Sequence, residues 1–579
     1  MAVCGIDLGT TNSLIAVFDE DGPRLIPNAL GDVLTPSVVG VDDDGSILIG
    51  RAAKHRLLTH PDQTIARFKR HMGTERVFSV APRARRGLWS QRPDGPRAMR
   101  AEDCSALILK SLKQDAEAHL GEEVRDVVIS VPAYFNEAQR RATRNAGEIA
   151  GLNVVRLVNE PTAAALAYGL QERDQETEFF VFDLGGGTFD VSILEIFDGV
   201  MEVNASAGDA FLGGEDFTDN LARVLARQVG EDFGKARPAR LAEFREVAER
   251  MKRALGSSPE VADQMPVGKD AKPVSITRQK FAEINNEVLQ RLRKPIERSL
   301  YDSKRQAQSF DRIVLVGGGT NMPVIRDMVT RIFGKFPEHG IDPDHVVGIG
   351  AAVQAGLVAD HKALDDVVLT DVAPFTMGTE VVRTVGRDQL DNIYEPMIER
   401  NTPLPVSRSG GYRPASKRAK ELVVPVFQGE SARATDNLKL GELKVPLPSG
   451  HKGECNVEIR FTYDTSGLLE VDVSVEDMPE TKNLLIEGQA GGLSAVEIRA
   501  RLDAMKKLKI HPRDELQNRE VQARLDALYQ MALGQDRAWI NEMILAFGAA
   551  MDGQDGEQIR EMREQISEAL DGFAGPGNG

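Results

Sequence analysis

The chain of 579 residues is too long for a single hydrophobic core, so its 41% of hydrophobic residues should supply two to four packed domains. A net charge of −17 argues against nucleic acid as the main partner. No apolar run reaches the length of a membrane span, and no secretory signal precedes the first predicted strand. The three cysteines, Cys4, Cys104 and Cys455, form neither a metal-binding spacing nor a disulfide framework, which fits a reducing cytoplasm.

The N-terminal stretch, residues 3–13, predicts a buried strand that runs into a polar turn. Gly9 allows the backbone to approach a ligand closely, and the Thr-Thr-Asn triplet after it offers N–H groups and hydroxyls to an anion. Asp7, just before the turn, is suited to hold a hydrated Mg²⁺ over phosphates. The stretch therefore indicates one half of a phosphate site.

A basic stretch follows at residues 67–100, which is rich in arginine and carries prolines in its second half. We interpret its second half as a solvated loop, with a patch for a polyanion or a protein partner as the alternative. The next segments alternate between helix and strand, which predicts an α/β domain. Helices are predicted at residues 102–119, 137–150 and 161–170, and strands at residues 126–132 and 154–157.

The strand and turn of the N-terminal stretch recur at residues 179–190. Each copy has an apolar run, an Asp-Leu-Gly sequence, a Gly/Thr turn and a second apolar run, and a third glycine turn at residues 313–320 fits the same pattern. Two hairpins of the same chemistry, far apart in sequence, predict a duplicated fold that clamps one polyphosphate from both sides. Two ordinary glycine-rich hairpins are the alternative.

The α/β pattern continues to about residue 357 and then changes. Helices are predicted at residues 217–233, 239–255, 278–299 and 348–357, a strand at 312–316, and a loop or small substructure at 257–273. After a short apolar strip at 366–371, alternating strands at 377–385, 421–427, 455–463 and 468–475 predict an antiparallel β-domain. A capping box at 494–497 opens a helical region that extends to about residue 573 and is interrupted at Pro512.

Four segments taken together resemble the ATPase signatures of the DnaK-type heat-shock chaperone family, the seventy-kilodalton class: residues 5–13, 159–165, 181–190 and 316–320. The resemblance extends over about the whole chain, and the HscC-like variant with a shortened C-terminal region matches the pattern best. It implies a multidomain fold: a duplicated, actin-like α/β ATPase domain (1–365), a linker (366–371), an antiparallel β-sandwich that binds peptide (372–493), an α-helical lid (494–573) and a disordered tail (574–579).

The function implied by this resemblance is that of an ATP-dependent chaperone. Such a protein hydrolyses ATP to ADP and phosphate as it binds and releases extended apolar segments of unfolded proteins. Unfolded polypeptides are the implied clients and a J-domain co-chaperone an implied partner, whereas the need for a nucleotide exchange factor stays open. Neither nucleic acid nor a membrane is an expected partner, and a bacterial cytoplasm is the implied location.

The resemblance assigns catalysis to Asp7, Lys69, Glu160, Asp183 and Thr188. Lys69 would contact the γ-phosphate and the attacking water, and Glu160 would lie near that water. Asp7 and Asp183 would hold Mg²⁺ through water molecules, with K⁺ as a further ion. The remaining nucleotide contacts are implied for Gly9, Thr10, Thr11, Asn12, Gly185, Gly186, Gly187, Asp190, Gly213, Gly214, Glu249, Lys252, Arg253, Ser257, Gly317, Gly318, Gly319, Asn321 and Asp344.

The nucleoside side of the implied site departs from the family pattern. Asn321 stands where the family commonly has an arginine that stacks on adenine, so one contact worth ~0.5–2 kcal/mol is absent. Gly256 stands where a serine is usual, and Ser257 is its neighbour. We therefore expect adenine nucleotides to bind more loosely here than in relatives with two arginines around the base.

A peptide groove and a coupling path are also implied. The groove residues are Met377, Thr379, Val382, Tyr412, Leu422 and Val424, and an ordinary β-sandwich core is the alternative for each. Thr379 replaces a usual aliphatic residue, which leaves the polarity of the pocket open. The residues implied in coupling the domains are Pro132, Arg140, Arg156, Val367, Val368, Leu369 and Asp371.

Three other functions are weighed against a chaperone. A sugar kinase of the same ATPase superfamily would have no use for residues 371–490. An actin-like filament protein would lack the apolar strip at 366–371 and would polymerise on ATP. An ATP-dependent regulator that binds one partner, rather than many, stays open.

Overall fold

A computed structural model describes residues 2–42, 45–80, 97–169, 176–197, 200–267, 270–338, 340–361, 364, 368–385, 388–451, 453–464, 467–487, 516–531, 534–554 and 556–573. Strands and helices alternate up to residue 358, strands dominate residues 368–487, and residues 516–573 are helical. None of the described helices is long and apolar enough to cross a membrane. The capping box at 494–497, Pro512, Val367 and the tail at 574–579 lie outside the described residues.

The first lobe, residues 4–169, is built on a mixed sheet. Its elements are β1 (Cys4–Asp7), β2 (Asn12–Asp19), β3 (Gly22–Ile26), β4 (Thr35–Pro36), β5 (Val38–Val41), β6 (Ile47–Ile49), α1 (Arg51–Thr59), β7 (Thr64–Ala66), β8 (Phe78–Val80), β9 (Arg97–Met99), α2 (Ala101–Leu120), β10 (Asp126–Val131), α3 (Glu137–Ile149), β11 (Asn153–Asn159) and α4 (Glu160–Gly169). The main sheet has the order β11-β10-β1-β2-β3. β1 pairs antiparallel with β2 and parallel with β10, so the polar turn after β1 lies at one edge of the sheet.

The second lobe, residues 177–358, repeats this arrangement. Its elements are β12 (Thr177–Leu184), β13 (Phe189–Phe197), β14 (Val200–Asp209), α5 (Gly214–Gln228), α6 (Pro238–Ala254), β15 (Glu260–Val267), β16 (Asp270–Thr277), α7 (Arg278–Ile284), α8 (Asn286–Asp302), β17 (Arg312–Val316), α9 (Pro323–Phe333) and α10 (Val346–Val358). β12, β13 and β14 form an antiparallel meander, as β1, β2 and β3 do, and β12 pairs parallel with β17. The duplication predicted from the two Asp-Leu-Gly hairpins is therefore present in the sheets.

Two predicted segments are given their detail by the structure. Residues 257–273, predicted as a loop or a small substructure, belong mostly to the separate two-stranded hairpin β15–β16, which spans residues 260–277. Pro266 and Pro273 fit there because each strand of a two-stranded sheet is an edge, where a missing N–H is tolerated. The helix predicted at 278–299 is two helices, α7 and α8, which meet at Asn285.

Helices α4 and α10 join the lobes. Their buried residues share one core with strands of both sheets, while each lobe also has a core of its own. The first lobe's own core packs α2 and α3 against β1 and β10, and the second lobe's core packs α5 and α6 against β12 and β13. Two separate cores joined at one shared layer leave an open cleft between the lobes.

Residues 368–487 add one strand to the second lobe and then form a β-sandwich. Their strands are β18 (Val368–Thr370), β19 (Met377–Val385), β20 (Asp388–Ile398), β21 (Val406–Tyr412), β22 (Glu421–Gln428), β23 (Leu438–Pro446), β24 (Val457–Tyr463), β25 (Leu468–Val475) and β26 (Lys482–Glu487). The two sheets of the sandwich have the orders β20-β19-β22-β23 and β21-β24-β25-β26, and their inner faces share one core. β18 pairs parallel with β14, so the apolar strip after the second lobe extends that lobe's sheet.

The C-terminal helices form a bundle with its own small core, α11 (Leu516–Met531), α12 (Gly534–Gly553) and α13 (Gly556–Phe573). Gln554, between α12 and α13, links the bundle to the sandwich. Its amide Nε2 donates to the carbonyl of Ser409 at 3.0 Å, and its Oε1 accepts from the N–H of Ser409 at 3.2 Å. Since β21 is an edge strand, this side chain pairs with backbone groups that no neighbouring strand occupies.

Candidate functional site

The glycine turns predicted to hold a polyphosphate face each other across the cleft. The first turn connects β1 to β2, and the second connects β12 to β13. The two turns are so close that a Cβ atom on Gly186 would lie 2.0 Å from Thr11 Oγ1 and 3.3 Å from Thr11 Cβ, so any other residue there would displace the Thr11 side chain. The third turn follows β17, and Gly317 adopts a left-handed conformation with φ of 78°.

A cavity of about 350 Å³ opens between the three turns. It brings together most of the residues predicted to bind nucleotide: Asp7, Gly9, Thr10, Thr11, Asn12, Lys69, Glu160, Asp183, Gly185, Gly186, Thr188, Gly214, Glu249, Lys252, Arg253, Gly317, Gly318, Gly319, Asn321 and Asp344. The predicted residues outside its lining are Gly187, Asp190, Gly213 and Ser257. The lining also includes Gly256, which stands at the family's serine position, and residues that the sequence did not reveal: Leu34, Glu215, Met322, Pro343 and Val347.

Ser257 is misplaced for the predicted contact because it follows the end of α6. Its hydroxyl donates to the carbonyl of Ala254 at 3.2 Å, and the neighbouring Gly256 lines the cavity in its place. Asp190 lies behind the turn, where its Oδ1 accepts from the N–H of Tyr134 at 3.0 Å. Asp190 therefore supports the site from behind rather than facing the cavity.

Lys69 and Glu160 form a buried ion pair at the floor of the cavity. Lys69 Nζ donates to Glu160 Oε1 at 2.6 Å, and the two side chains are only 3% and 9% exposed. Lys69 belongs to a short turn, Phe68–His71, of the first lobe, while Glu160 begins α4. An ammonium so placed is a fixed positive charge beside the two phosphate-binding turns.

Three buried aspartates surround this pair. Burial and the charge of Glu160 raise the pKa of Asp7 and of Asp183 above the usual range, and burial followed by Glu160 raises the pKa of Asp190 to about 8. Asp7 Oδ1 accepts from Ser130 Oγ at 2.9 Å. Asp183 Oδ2 is buried and finds no hydrogen-bond partner in the part of the chain that the structure describes. The carboxylates thus concentrate negative charge that a cation would neutralise.

The far end of the cavity is lined from α6 and from the turn after β17. Glu249 accepts from Lys252 Nζ at 2.6 Å and from Arg253 Nε at 2.8 Å. Although burial opposes ionisation, Lys252 and the other donors lower the pKa of Glu249 to about 2. Asn321 faces them, and its Oδ1 accepts from Arg326 Nη2 at 3.1 Å. A guanidinium from α9 therefore lies beside the position where the family arginine is replaced.

The predicted peptide-groove residues do not all face one open groove. Met377, Thr379 and Val424 are buried in the sandwich, and Thr379 Oγ1 donates to the carbonyl of Pro425 at 2.8 Å. Val382 is 41% exposed. The other two, Tyr412 and Leu422, are half-buried and pack against the sandwich core. Met377, Thr379 and Val424 therefore lie in this structure as ordinary core residues of the β-sandwich, which was the alternative to a groove.

Two of the predicted coupling residues, Arg140 and Asp371, are linked through Asn159 of the first lobe. Arg140 is fully buried, and its Nη2 donates to Asn159 Oδ1 at 2.7 Å. Asn159 Nδ2 in turn donates to Asp371 Oδ2 at 2.9 Å, and burial raises the pKa of Asp371. Pro132 accepts from the N–H of Phe135 at 3.1 Å. The neighbouring coupling residues occupy strands: Arg156 in β11, and Val368 and Leu369 in β18.

The sandwich makes further polar contacts with both lobes. Arg400 pairs with Asp302 of the second lobe at 2.9 Å, and Asn401 Nδ2 donates to the same carboxylate at 2.9 Å. Gln428 Oε1 accepts from the N–H of Glu137 in the first lobe at 3.0 Å. These contacts were not predictable from the sequence, since residues of these types are common on protein surfaces and only the placement of the domains brings them together.

The cleft, its three glycine turns and the attached sandwich and helical bundle define a nucleotide-binding protein of known class. The family model described as Hsp70 protein matches residues 3–572, and this chain belongs to that family. It is similar to the chaperone protein DnaK of Thermotoga neapolitana, with 39% identity over 541 residues, 91% of this chain and 87% of the relative. It is also 39% identical to the chaperone protein DnaK of Thermotoga petrophila over 580 residues, 98% of this chain and 93% of the relative.

The family identifies the activity predicted from the sequence. The chain is an ATP-dependent chaperone that binds unfolded protein substrates, and it is an ATPase. Membership of this family also implies that the chain binds nucleotide.

Proposed function

We propose that the cavity between the lobes binds Mg²⁺ and ATP, and that the residues assigned from the sequence carry the hydrolysis. The observation that carries this proposal is the buried, unpartnered Asp183 Oδ2, which lies with Asp7 beside the facing phosphate-binding turns. Carboxylates of raised pKa around one cavity suit a hydrated Mg²⁺, which would neutralise phosphate charge. K⁺ is a second ion that the same negative charge would attract.

The two turns hold the β- and γ-phosphates from opposite sides, with N–H groups and hydroxyls of the first turn and of residues 185–188. Lys69 neutralises charge on the transferred phosphoryl group, and Glu160 both orients Lys69 and lies near the attacking water. Thr188, which also lines the cavity, contacts the terminal phosphate. Lys69 and Glu160 are buried and paired with each other, so this charge is preorganised for the transition state.

Glu249, Lys252 and Arg253 receive the nucleoside at the other end of the cavity. The Arg253 side chain is 62% exposed, and its guanidinium offers a face to the base while its Nε donates to Glu249. Asn321 and Asp344 lie opposite, so the base is held between one arginine and a polar wall.

The β-sandwich is the unit that binds an extended apolar segment, and the C-terminal helices act as its lid, in an HscC-like short form. Val382, Tyr412 and Leu422 are the groove residues that reach the surface in this structure, and opening of the sandwich exposes Met377, Thr379 and Val424. Residues 1–365, 372–493 and 494–573 are the corresponding units. A J-domain co-chaperone and a bacterial cytoplasmic location complete the proposal, and an exchange factor is left open.

Pairing of β18 with β14 couples nucleotide to peptide. The strand joins the second lobe's sheet only while the sandwich lies against the lobes, where Asp371 meets Asn159 and Arg140. If bound nucleotide changes the angle between the lobes, it changes the free energy with which β18 and the sandwich dock on them. By linkage, the affinity of the sandwich for peptide then changes as well.

Single-turnover hydrolysis with and without Mg²⁺, together with peptide dissociation in ATP and in ADP, tests the proposal. We expect hydrolysis only with Mg²⁺ and faster peptide release in ATP. Asp183→Asn should abolish Mg²⁺-dependent hydrolysis, whereas the matched control Asp21→Asn, at an exposed position, should leave it unchanged. Hydrolysis by Asp183→Asn at the wild-type rate would reject the role given to Asp183.

A further inference from the structure

Two arginines beside Lys69 cross the cleft and pair with the second lobe. Arg67 Nη2 lies 2.6 Å from Glu215 Oε2, and Arg67 Nη1 lies 3.6 Å from Asp219 Oδ1. Arg70 Nη2 lies 2.6 Å from Asp216 Oδ2, and its Nε donates to the carbonyl of Gly187 at 3.0 Å. These two arginines begin the basic stretch at 67–100, ahead of its second half, for which a solvated loop is predicted.

Each end of the bridge is anchored in a different hydrophobic core. Phe68 and Met72, which flank the arginine turn, are buried in the core of the first lobe. Phe217 and Leu221, on the same helix α5 as the three carboxylates, are buried in the core of the second lobe. The ion pairs therefore join two rigid bodies, and any opening of the cleft must separate them.

Two of the acidic partners, Asp216 and Asp219, are also held by hydrogen bonds from within the second lobe. Asp219 accepts from Arg245 Nε at 2.7 Å and from Arg245 Nη2 at 3.1 Å, and both atoms belong to the second lobe. Asp216 Oδ2 accepts from the N–H of Gly213 at 2.9 Å, at the start of α5. Fixed partners reduce the side-chain entropy that usually weakens a surface ion pair.

The bridge also adjoins the chemistry. Glu215 lines the nucleotide cavity, and Lys69 lies between Arg67 and Arg70 on one short turn. Arg67 adopts a left-handed conformation with φ of 62°, which is unusual for a residue other than glycine. The ion pair with Glu215 helps to hold Arg67 in this strained backbone conformation.

We propose that Arg67 and Arg70 are positioning residues that hold the cleft closed over bound nucleotide, and that their ion pairs with α5 must break before ADP leaves. The inference rests on nucleotide binding in this cleft. It assigns nucleotide release, rather than hydrolysis, to a charge bridge outside the phosphate turns. Because the paired side chains are partly exposed, the rate of release should rise with salt.

The test measures the dissociation of a fluorescent ADP analogue from the full chain by stopped flow, at low and at high salt. Arg67→Gln should release the analogue about 1.5-fold to fivefold faster at low salt, as expected for loss of a partly exposed ion pair. Its release should also depend less on salt than that of the wild type. Arg67→Lys, which retains the charge, should restore most of the slow release. Glu215→Gln should add little to Arg67→Gln, because the two residues act as one pair.

Arg24→Gln is the matched control, since it removes an exposed arginine that pairs with Asp19 at 3.0 Å within the first lobe. We expect it to release the analogue at the wild-type rate. If Arg67→Gln binds the analogue and releases it with the wild-type rate and salt dependence, the bridge does not control release and the inference is overturned. A wild-type protein that binds no analogue at all would instead reject nucleotide binding in the cleft, a result that is distinguishable from the first.

Discussion

Replacing Lys69 by alanine separates the structural from the chemical role of its ion pair. The side chains of Lys69 and Glu160 are 3% and 9% exposed and lie 2.6 Å apart, so Lys69→Ala leaves a buried carboxylate without its partner. Removing one member of a buried pair costs about 3–5 kcal/mol. At an unfolding entropy of about 2.1 cal/mol/K per residue, the two lobes together shift by about 1.3 °C per kcal/mol, so this loss lowers Tm by roughly 4–7 °C in the absence of nucleotide.

A double variant tells the two roles apart. Lys69→Met with Glu160→Gln removes both charges and keeps similar volumes, so it should recover most of the lost Tm. It should still fail to hydrolyse ATP in single-turnover assays, because the charge that stabilises the transferring phosphoryl group is gone. Thermal unfolding without nucleotide and single-turnover hydrolysis are the two measurements. A Lys69→Ala variant as stable as the wild type, or one that hydrolyses ATP at its rate, would refute this reasoning.

Three further predictions follow from the same contacts. The nucleotide-free protein should lose stability as pH rises from about 4 through about 8, because burial raises the pKa of Asp190 above its unfolded value and the folded state disfavours the charged carboxylate. Mg²⁺ with ADP should reduce this loss of stability. A Tm that does not change with pH would contradict the prediction. Leu369→Pro removes a backbone N–H from β18, so ATP should no longer accelerate peptide release, whereas basal peptide binding should persist; a retained ATP effect would mean that pairing with β14 is dispensable. Asn321→Arg should raise ADP affinity in calorimetry by ~0.5–2 kcal/mol, and no gain would indicate that Arg326 already supplies the missing cation.

Local sequence was sufficient to predict the phosphate-binding turns. Gly186 leaves room for the Thr11 side chain of the opposite turn, and the Asp-Leu-Gly pattern before the turn recurs in both lobes, so the duplication and the facing turns were predictable. Lys69 and Glu160 were assigned through their motifs, and the structure brings them to hydrogen-bonding distance. These features depend on a few neighbouring residues, so a short sequence motif is enough to predict them.

Contacts between distant segments were not predictable in this way. Ser257 missed the cavity because the end of α6 turns its hydroxyl back to Ala254, and a shift of one residue cannot be read from composition. The buried state of Met377 and Val424 depends on how the two sheets of the sandwich close on each other.

The sequence by itself determined the type of site, its phosphate-binding turns and the order of α/β, β and helical regions, because each of these depends on local backbone chemistry and periodicity. Tertiary structure alone decided that Arg67 meets Glu215 and that Arg400 meets Asp302. Charged side chains of these types lie on most protein surfaces, and only the relative placement of separate cores determines which opposite charges come within a few ångströms of each other.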